Sequence, residues 1–119
     1  MFSHVTLGIS DSSRSREFYD HVLDALDIKC AYSGEGDAAY RSGDDPTTLW
    51  ILSPFNRDPA TAGNGSHVAL LAPNHRAVDE LHQLALAHGG TDEGAPGPRL
   101  HYHEHYNGAY VRDPDGNKL

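Results

Sequence analysis

A short stretch near the start of the chain recurs in its second half, and this repeat constrains the fold more than any other feature. Residues 3–9 read SHVTLGI and residues 66–72 read SHVALLA, so four of seven positions match. The repeat, at an offset of 63 residues, pairs His4 with His67. Self-similarity at a fixed offset indicates one supersecondary unit used twice. The sequence therefore predicts two related modules packed side by side.

The pattern after each repeat predicts the same order of elements in both halves. Each copy reads as a short strand with alternating apolar residues. A helix-start signal follows, Asp11-Ser12-Ser13 in the first copy and Asn74 in the second. Apolar spacing predicts helices over about 13–26 and 76–88. The further strands predicted are 29–32, 38–41, 48–52 and 109–112, followed by a hairpin turn at RDPDGN.

These elements form a βαβββ pattern that occurs twice along the chain. We expect one domain over residues 1–119, made of modules over about 3–52 and 66–119. The fold class expected is α+β, with mixed sheets and a helix over the outer face of each.

Charge and cysteine usage narrow the possible partners and compartment. The 17 acidic residues outnumber the 9 basic ones, for a net charge of −8, so neither nucleic acid nor an anionic membrane surface is an expected partner. Cys30 is the only cysteine, and the start of the chain does not read as a signal peptide. We therefore expect a cytoplasmic protein. Cys30 itself is expected to be a buried, small apolar residue.

The repeated modules resemble the vicinal oxygen chelate superfamily of glyoxalases, bleomycin-resistance proteins and extradiol dioxygenases. The opening HVTLGISDSSRSREFYDHVLDAL, the second GNGSHVALLAPNHRAVDELHQLALAHGG and the closing YVRDPDGNK carry the resemblance, which covers essentially the whole chain. It implies that the strands of two modules form a half-open barrel around a metal ion. The nearest resemblance is to small, single-chain glyoxalase-like members.

The resemblance also implies where a metal would bind. Metal slots of the superfamily lie on the first and last strands of each module, and the first-strand slots fall on His4 and His67. A last-strand slot normally holds a carboxylate. In the first module it falls on Trp50, which cannot bind a metal, and in the second it would directly follow Leu119. The implied cofactor is a divalent ion such as Zn, Fe, Mn or Ni, bound by His4 and His67.

Further candidates lie in the second module. HYHEHY, residues 101–106, is either a strand with three histidines on one face or a loop over the cavity. Within it, His103 is a candidate catalytic residue and Tyr106 a candidate substrate contact. Tyr110 is a candidate hydrogen-bond donor to an oxyanion, and so a second catalytic candidate. Arg99 is a candidate partner for an anionic substrate.

Two functions remain open from the sequence. The first is a metal-dependent enzyme of the lyase, isomerase, dioxygenase or transferase type, acting on a small oxygenated substrate. Trp50 weighs against glyoxalase I activity and suits an apolar wall against a substrate. The alternative is a metal-free protein of the bleomycin-resistance kind that sequesters a small aromatic ligand. In both cases we expect a homodimer, because exposed strand edges are removed by pairing.

Overall fold

The computed structural model describes residues 1–119 and contains one helix and one sheet in each half. The fold is α+β. The elements of the first half are β1 (His4–Gly8), α1 (Ser12–Asp24), β2 (Lys29–Ser33), β3 (Asp37–Arg41) and β4 (Thr48–Leu52). The elements of the second half are α2 (His75–Ala87), β5 (Thr91–Pro98) and β6 (Asn107–Arg112). Neither helix is both long enough and apolar enough to cross a bilayer.

The first half forms a complete four-stranded mixed sheet. Its order is β1-β4-β3-β2, with β1 parallel to β4 and the other neighbours antiparallel. Because side chains alternate across a strand, β4 buries Leu49 and Ile51 on the helix side and turns Trp50 to the opposite face. Cys30 lies on the edge strand β2 and is exposed, so the expectation of a buried cysteine is wrong. All five residues of β2 are exposed, since the strand has a neighbour on one side only.

Both helices begin where their capping residues predict. Asp11 accepts a hydrogen bond from the backbone N–H of Arg14 at 3.0 Å, and Asn74 accepts one from Ala77 at 2.9 Å. The apolar stripe of α1 is fully buried against the first sheet and against α2. Its buried apolar members are Phe18, Tyr19, Val22 and Leu23.

The second half departs from the predicted pattern at two places. Residues 67–71 form no regular strand, although the backbone N–H of Val68 donates to Lys118 at 3.1 Å. In addition, β5 forms over TDEGAPGP, where two glycines and two prolines hide any strand signal. β5 and β6 make a two-stranded antiparallel sheet, and a single bridge joins Arg112 to Lys118.

A buried polar network joins the two halves. The carboxylate of Asp113, which is 3% exposed, accepts the Tyr19 hydroxyl at 2.6 Å and the Asn117 side-chain amide at 2.9 Å. Asp115 of the same hairpin turn accepts the backbone N–H of Ser10 and the Arg14 guanidinium. The closing turn of the second half therefore holds the start of α1, which fixes the position of one module on the other.

Candidate functional site

A cleft of about 780 Å³ lies in the second half of the chain. It lies between the 67–72 segment and β6, and Val78 and Leu81 of α2 contribute to its wall. Four of the nine histidines of the chain line it, and no aspartate or glutamate does. These histidines are His67, His75, His103 and His105. A volume in this range, with apolar walls and a few polar groups, is typical of small-molecule sites.

His67 brings a neutral imidazole to this cleft. Its pKa is lowered from 6.5, first by burial and then by the positive charge of Lys118. The ring lies 5.4 Å from that of Tyr110, measured between centroids. A histidine with a lowered pKa is unprotonated at neutral pH, so His67 can accept a hydrogen bond or a proton there.

Tyr110 provides a hydroxyl donor beside His67. The hydroxyl of Tyr102, burial and the hydroxyl of Tyr106 together raise the pKa of Tyr110 well above its usual range. Lys118 Nζ lies 5.1 Å from the Tyr110 ring centroid, within the range of a cation–π contact. Tyr110 therefore stays protonated at neutral pH and acts as a donor rather than as a base.

The HYHEHY segment, residues 101–106, is a loop that contains turns. Of the two structures predicted for it, a strand or a loop over the cavity, the loop is the one that forms. His103 and Tyr106 meet edge to face, with ring centroids 5.3 Å apart and planes at 86°. The Nδ1 atom of His103 accepts the backbone N–H of His105 at 3.2 Å. This contact orients the ring, and His103 and Tyr106 both line the cleft.

Arg99 lies beside the cleft, but backbone carbonyls of the preceding strand, β5, accept hydrogen bonds from its guanidinium. The guanidinium donates to the backbone carbonyls of Ala95, Gly97 and Pro98 at 2.8–3.2 Å. Its central carbon also lies 5.4 Å from the centroid of the Tyr110 ring. These contacts position Tyr110 and leave little of the Arg99 side chain for an anionic substrate.

The candidate residues of the first half lie apart from this cleft. His4 is exposed on β1, and its Nδ1 atom is 2.8 Å from the Ser3 hydroxyl. Trp50 contacts Tyr32 on the sheet face opposite α1, with ring centroids 5.8 Å apart. Neither His4 nor Trp50 lines the cleft that holds His67. Within one chain, Trp50, the predicted wall against a substrate, therefore does not share a cavity with His67.

The ligands needed for the implied metal are not assembled within one chain. A stable divalent site requires at least three ligand atoms a few ångströms apart. No such group of histidine, cysteine or carboxylate side chains includes His4, His67 or any other histidine of the cleft. One group of this kind exists, Glu17, His21 and His88, and sequence reasoning missed it. The arrangement around His67 therefore fits a small-molecule pocket better than a preformed metal centre.

The chain belongs to the Glyoxalase/Bleomycin resistance protein/Dioxygenase superfamily. The family model matches residues 1–119, which agrees with the α+β fold and confirms the resemblance noted in the sequence. None of the curated proteins compared with the chain matches it.

Solved structures agree with this assignment. A glyoxalase/bleomycin resistance protein from Albidiferax ferrireducens T118 is 40% identical, with a TM-score of 0.88 over 99% of this chain and 93% of that one. Two more distant structures share the fold. A glyoxalase-related enzyme from Fulvimarina pelagi is 21% identical, with a TM-score of 0.76 over 99% of this chain and 84% of that one. A lactoylglutathione lyase from Agrobacterium tumefaciens is 17% identical, with a TM-score of 0.65 over 99% and 89%.

Proposed function

We propose that the protein binds a small, partly aromatic, oxygen-bearing molecule in the cleft at His67 and Tyr110. The observation that carries this proposal is that the rings of His67 and Tyr110, with centroids 5.4 Å apart, lie side by side at one wall of a cavity of about 780 Å³. No aspartate or glutamate side chain lines the cavity, so no acidic side chain there opposes a neutral or anionic ligand.

The two polar groups have complementary roles in this proposal. His67 accepts a hydrogen bond from a ligand hydroxyl, and Tyr110 donates one to a ligand oxygen. If chemistry follows binding, His67 takes up the proton that the hydroxyl loses, and Tyr110 stabilises the resulting oxyanion. The apolar side chains of α2 supply contact area for the carbon skeleton of the ligand.

Calorimetric titration with catechol tests this proposal, since catechol carries two neighbouring hydroxyls on an aromatic ring. We expect His67→Ala and Tyr110→Phe each to weaken binding by about tenfold, the equivalent of about 1.4 kcal/mol for one hydrogen bond. The matched control is His4→Ala, which removes the repeat partner of His67 outside the cleft. Equal affinity for the wild type and His67→Ala would contradict the proposal.

A second candidate function is metal-dependent catalysis with His4 and His67 as ligands. The observation in its favour is that the two histidines occupy equivalent repeat positions and both remain exposed. A third ligand is not beside either of them in one chain, so this candidate requires an assembly that brings further groups together. It predicts that His4→Ala and His67→Ala abolish activity to the same extent, whereas the first candidate predicts an effect of His67→Ala alone.

A homodimer is the assembly we propose for this chain, in the cytoplasm. Exposed apolar side chains of both halves support it, because such groups gain from burial on association. Tyr32 is 52% exposed and Leu100 is 69% exposed. Size-exclusion chromatography with light scattering should give about twice the chain mass of 12.9 kDa. A mass of one chain at all concentrations would contradict the dimer and leave the catechol experiment unaffected.

A further inference from the structure

Three metal-ligating side chains meet between the two helices, away from the cleft. Glu17 and His21 lie one turn apart on α1, and His88 caps the C-terminal end of α2. One ligand atom from each lies within 4.8 Å of the other two. None of the three lines the cleft.

The contacts among these residues already hold the two histidines together. His88 Nδ1 lies 3.0 Å from the Glu17 carboxylate, and His21 Nδ1 lies 2.7 Å from the Glu17 carbonyl oxygen. Both oxygens only accept, so each ring donates through Nδ1. When the rings are neutral, the other nitrogen of each keeps a free lone pair, which is the form that binds a metal.

The geometry shows what must move for an ion to bind. The two rings are stacked, with centroids 3.9 Å apart and planes at 7°, so their lone pairs run along parallel planes instead of converging. A tetrahedral ion with ligands at about 2.0–2.2 Å needs ligand atoms only about 3.3–3.5 Å apart. The Glu17 and His21 side chains are 60% and 47% exposed, so they are free to turn toward the more buried His88.

We propose that Glu17, His21 and His88 bind one divalent transition-metal ion and thereby join α1 to α2. Two imidazoles and one carboxylate suit Zn²⁺, Ni²⁺ or Cu²⁺, whereas Mg²⁺ and Ca²⁺ prefer all-oxygen sites. Because α1 belongs to the first half and α2 to the second, the ion stabilises the contact between the halves. This site is independent of the function proposed for the cleft.

Thermal unfolding of the chelator-treated protein, with and without ZnCl₂, tests the proposal. At about 100 times the dissociation constant, Zn²⁺ should raise Tm by roughly 10 °C. The shift should fall below about 2 °C in His21→Gln and in Glu17→Gln, two exposed positions where substitution leaves the metal-free fold intact. The matched control is His67→Gln, which removes a cleft histidine and should keep the full shift.

Histidine ring nitrogen NMR supplies a second readout that does not depend on stability. Zn²⁺ should move the ring nitrogen signals of His21 and His88 and leave those of His67 in place. The proposal is overturned if the wild type shows no shift in Tm, or if His21→Gln keeps it. Loss of the shift in His67→Gln alone would equally overturn it, because the ion would then bind in the cleft.

Discussion

The two halves of the chain share a sequence pattern and differ in the sheets that they form. In the first half, β4 lies between β1 and β3 and closes a four-stranded sheet. In the second half, β5 and β6 pair with each other, and Leu119 exchanges two backbone hydrogen bonds with Val111. The cleft lies between the 67–72 segment and β6.

This difference explains the distribution of candidate function. In the first half, the strands of the four-stranded sheet pair their backbone N–H and C=O groups with one another, and one face of the sheet packs on α1. In the second half, β5 and β6 form a two-stranded sheet, and four histidines line the cleft beside β6. His4 and His67 are repeat partners, yet His67 lines this cleft and His4 does not. A repeat in sequence therefore does not imply two equivalent sites within one chain.

Removing the buried polar network around Asp113, which joins the two halves, should have the largest effect on the free energy of unfolding. Asp113→Ala deletes the buried acceptor of the Tyr19 hydroxyl and the Asn117 amide. Leaving the Tyr19 hydroxyl buried without a partner, together with the loss of the Asn117 contact, costs about 3–5 kcal/mol, measured as the free energy of unfolding in urea. Tyr19→Phe, the milder control, removes one hydrogen bond to the carboxylate and should cost about 1.5–3 kcal/mol. Equal stability of Asp113→Ala and the wild type would show that the halves are held together elsewhere.

A pair of aliphatic substitutions, one buried and one exposed, compares the first sheet with the edge of the cleft. Ile51 is fully buried on β4, so Ile51→Ala should lower the free energy of unfolding by about 2–5 kcal/mol. Leu71 borders the cleft and is 95% exposed, so Leu71→Ala should change it by less than about 0.5 kcal/mol. Urea unfolding of the two variants side by side measures the difference. A large loss in Leu71→Ala would mean that another segment or a second chain buries the cleft edge.

A smaller, purely electrostatic effect is expected at His67. Lys118 helps to lower the His67 pKa, so Lys118→Gln should raise that pKa toward 6.5 while the contribution of burial remains. Ligand binding that needs the neutral ring is complete at neutral pH and is lost as the pH falls through the lowered pKa. In Lys118→Gln this loss should begin at a higher pH. NMR titration of the ring protons measures the shift, with Lys29→Gln as a control in the first half, and an unchanged His67 pKa would contradict it.

The parts predicted well from the sequence are those that local chemistry determines. Capping by Asp11 and Asn74 and the apolar stripes placed both helices within two residues of their observed ends. Strand β5 was missed because it is rich in glycine and proline and is paired on one side only. The opening strand of the second half, predicted over 67–71, did not form. Strand formation there depends on neighbouring strands to pair with, and these are supplied by the tertiary structure rather than by the local sequence.

The candidate site residues also divide into those that the sequence indicated and those that it did not. His67, His103, Tyr106 and Tyr110 were named as candidates from the sequence, and all four line one cleft, while their roles stay predictions. The cluster of Glu17, His21 and His88 was not found, because only the packing of α1 on α2 brings His88 to α1. The spacing of Glu17 and His21, four residues apart on one helix face, was the one local signal for it.

A map of catechol binding by two-dimensional ¹⁵N NMR shows directly whether the second half alone holds the ligand site. We expect saturable shifts at residues of the cleft, led by His67 and Tyr110, and none around Trp50 and Tyr32 on the open face of the first sheet. Trp50 is the only tryptophan, so its side-chain signal reports on the first half without ambiguity. Saturable shifts centred on Trp50, or no saturable shift anywhere, would show that the cleft of the second half is not the ligand site.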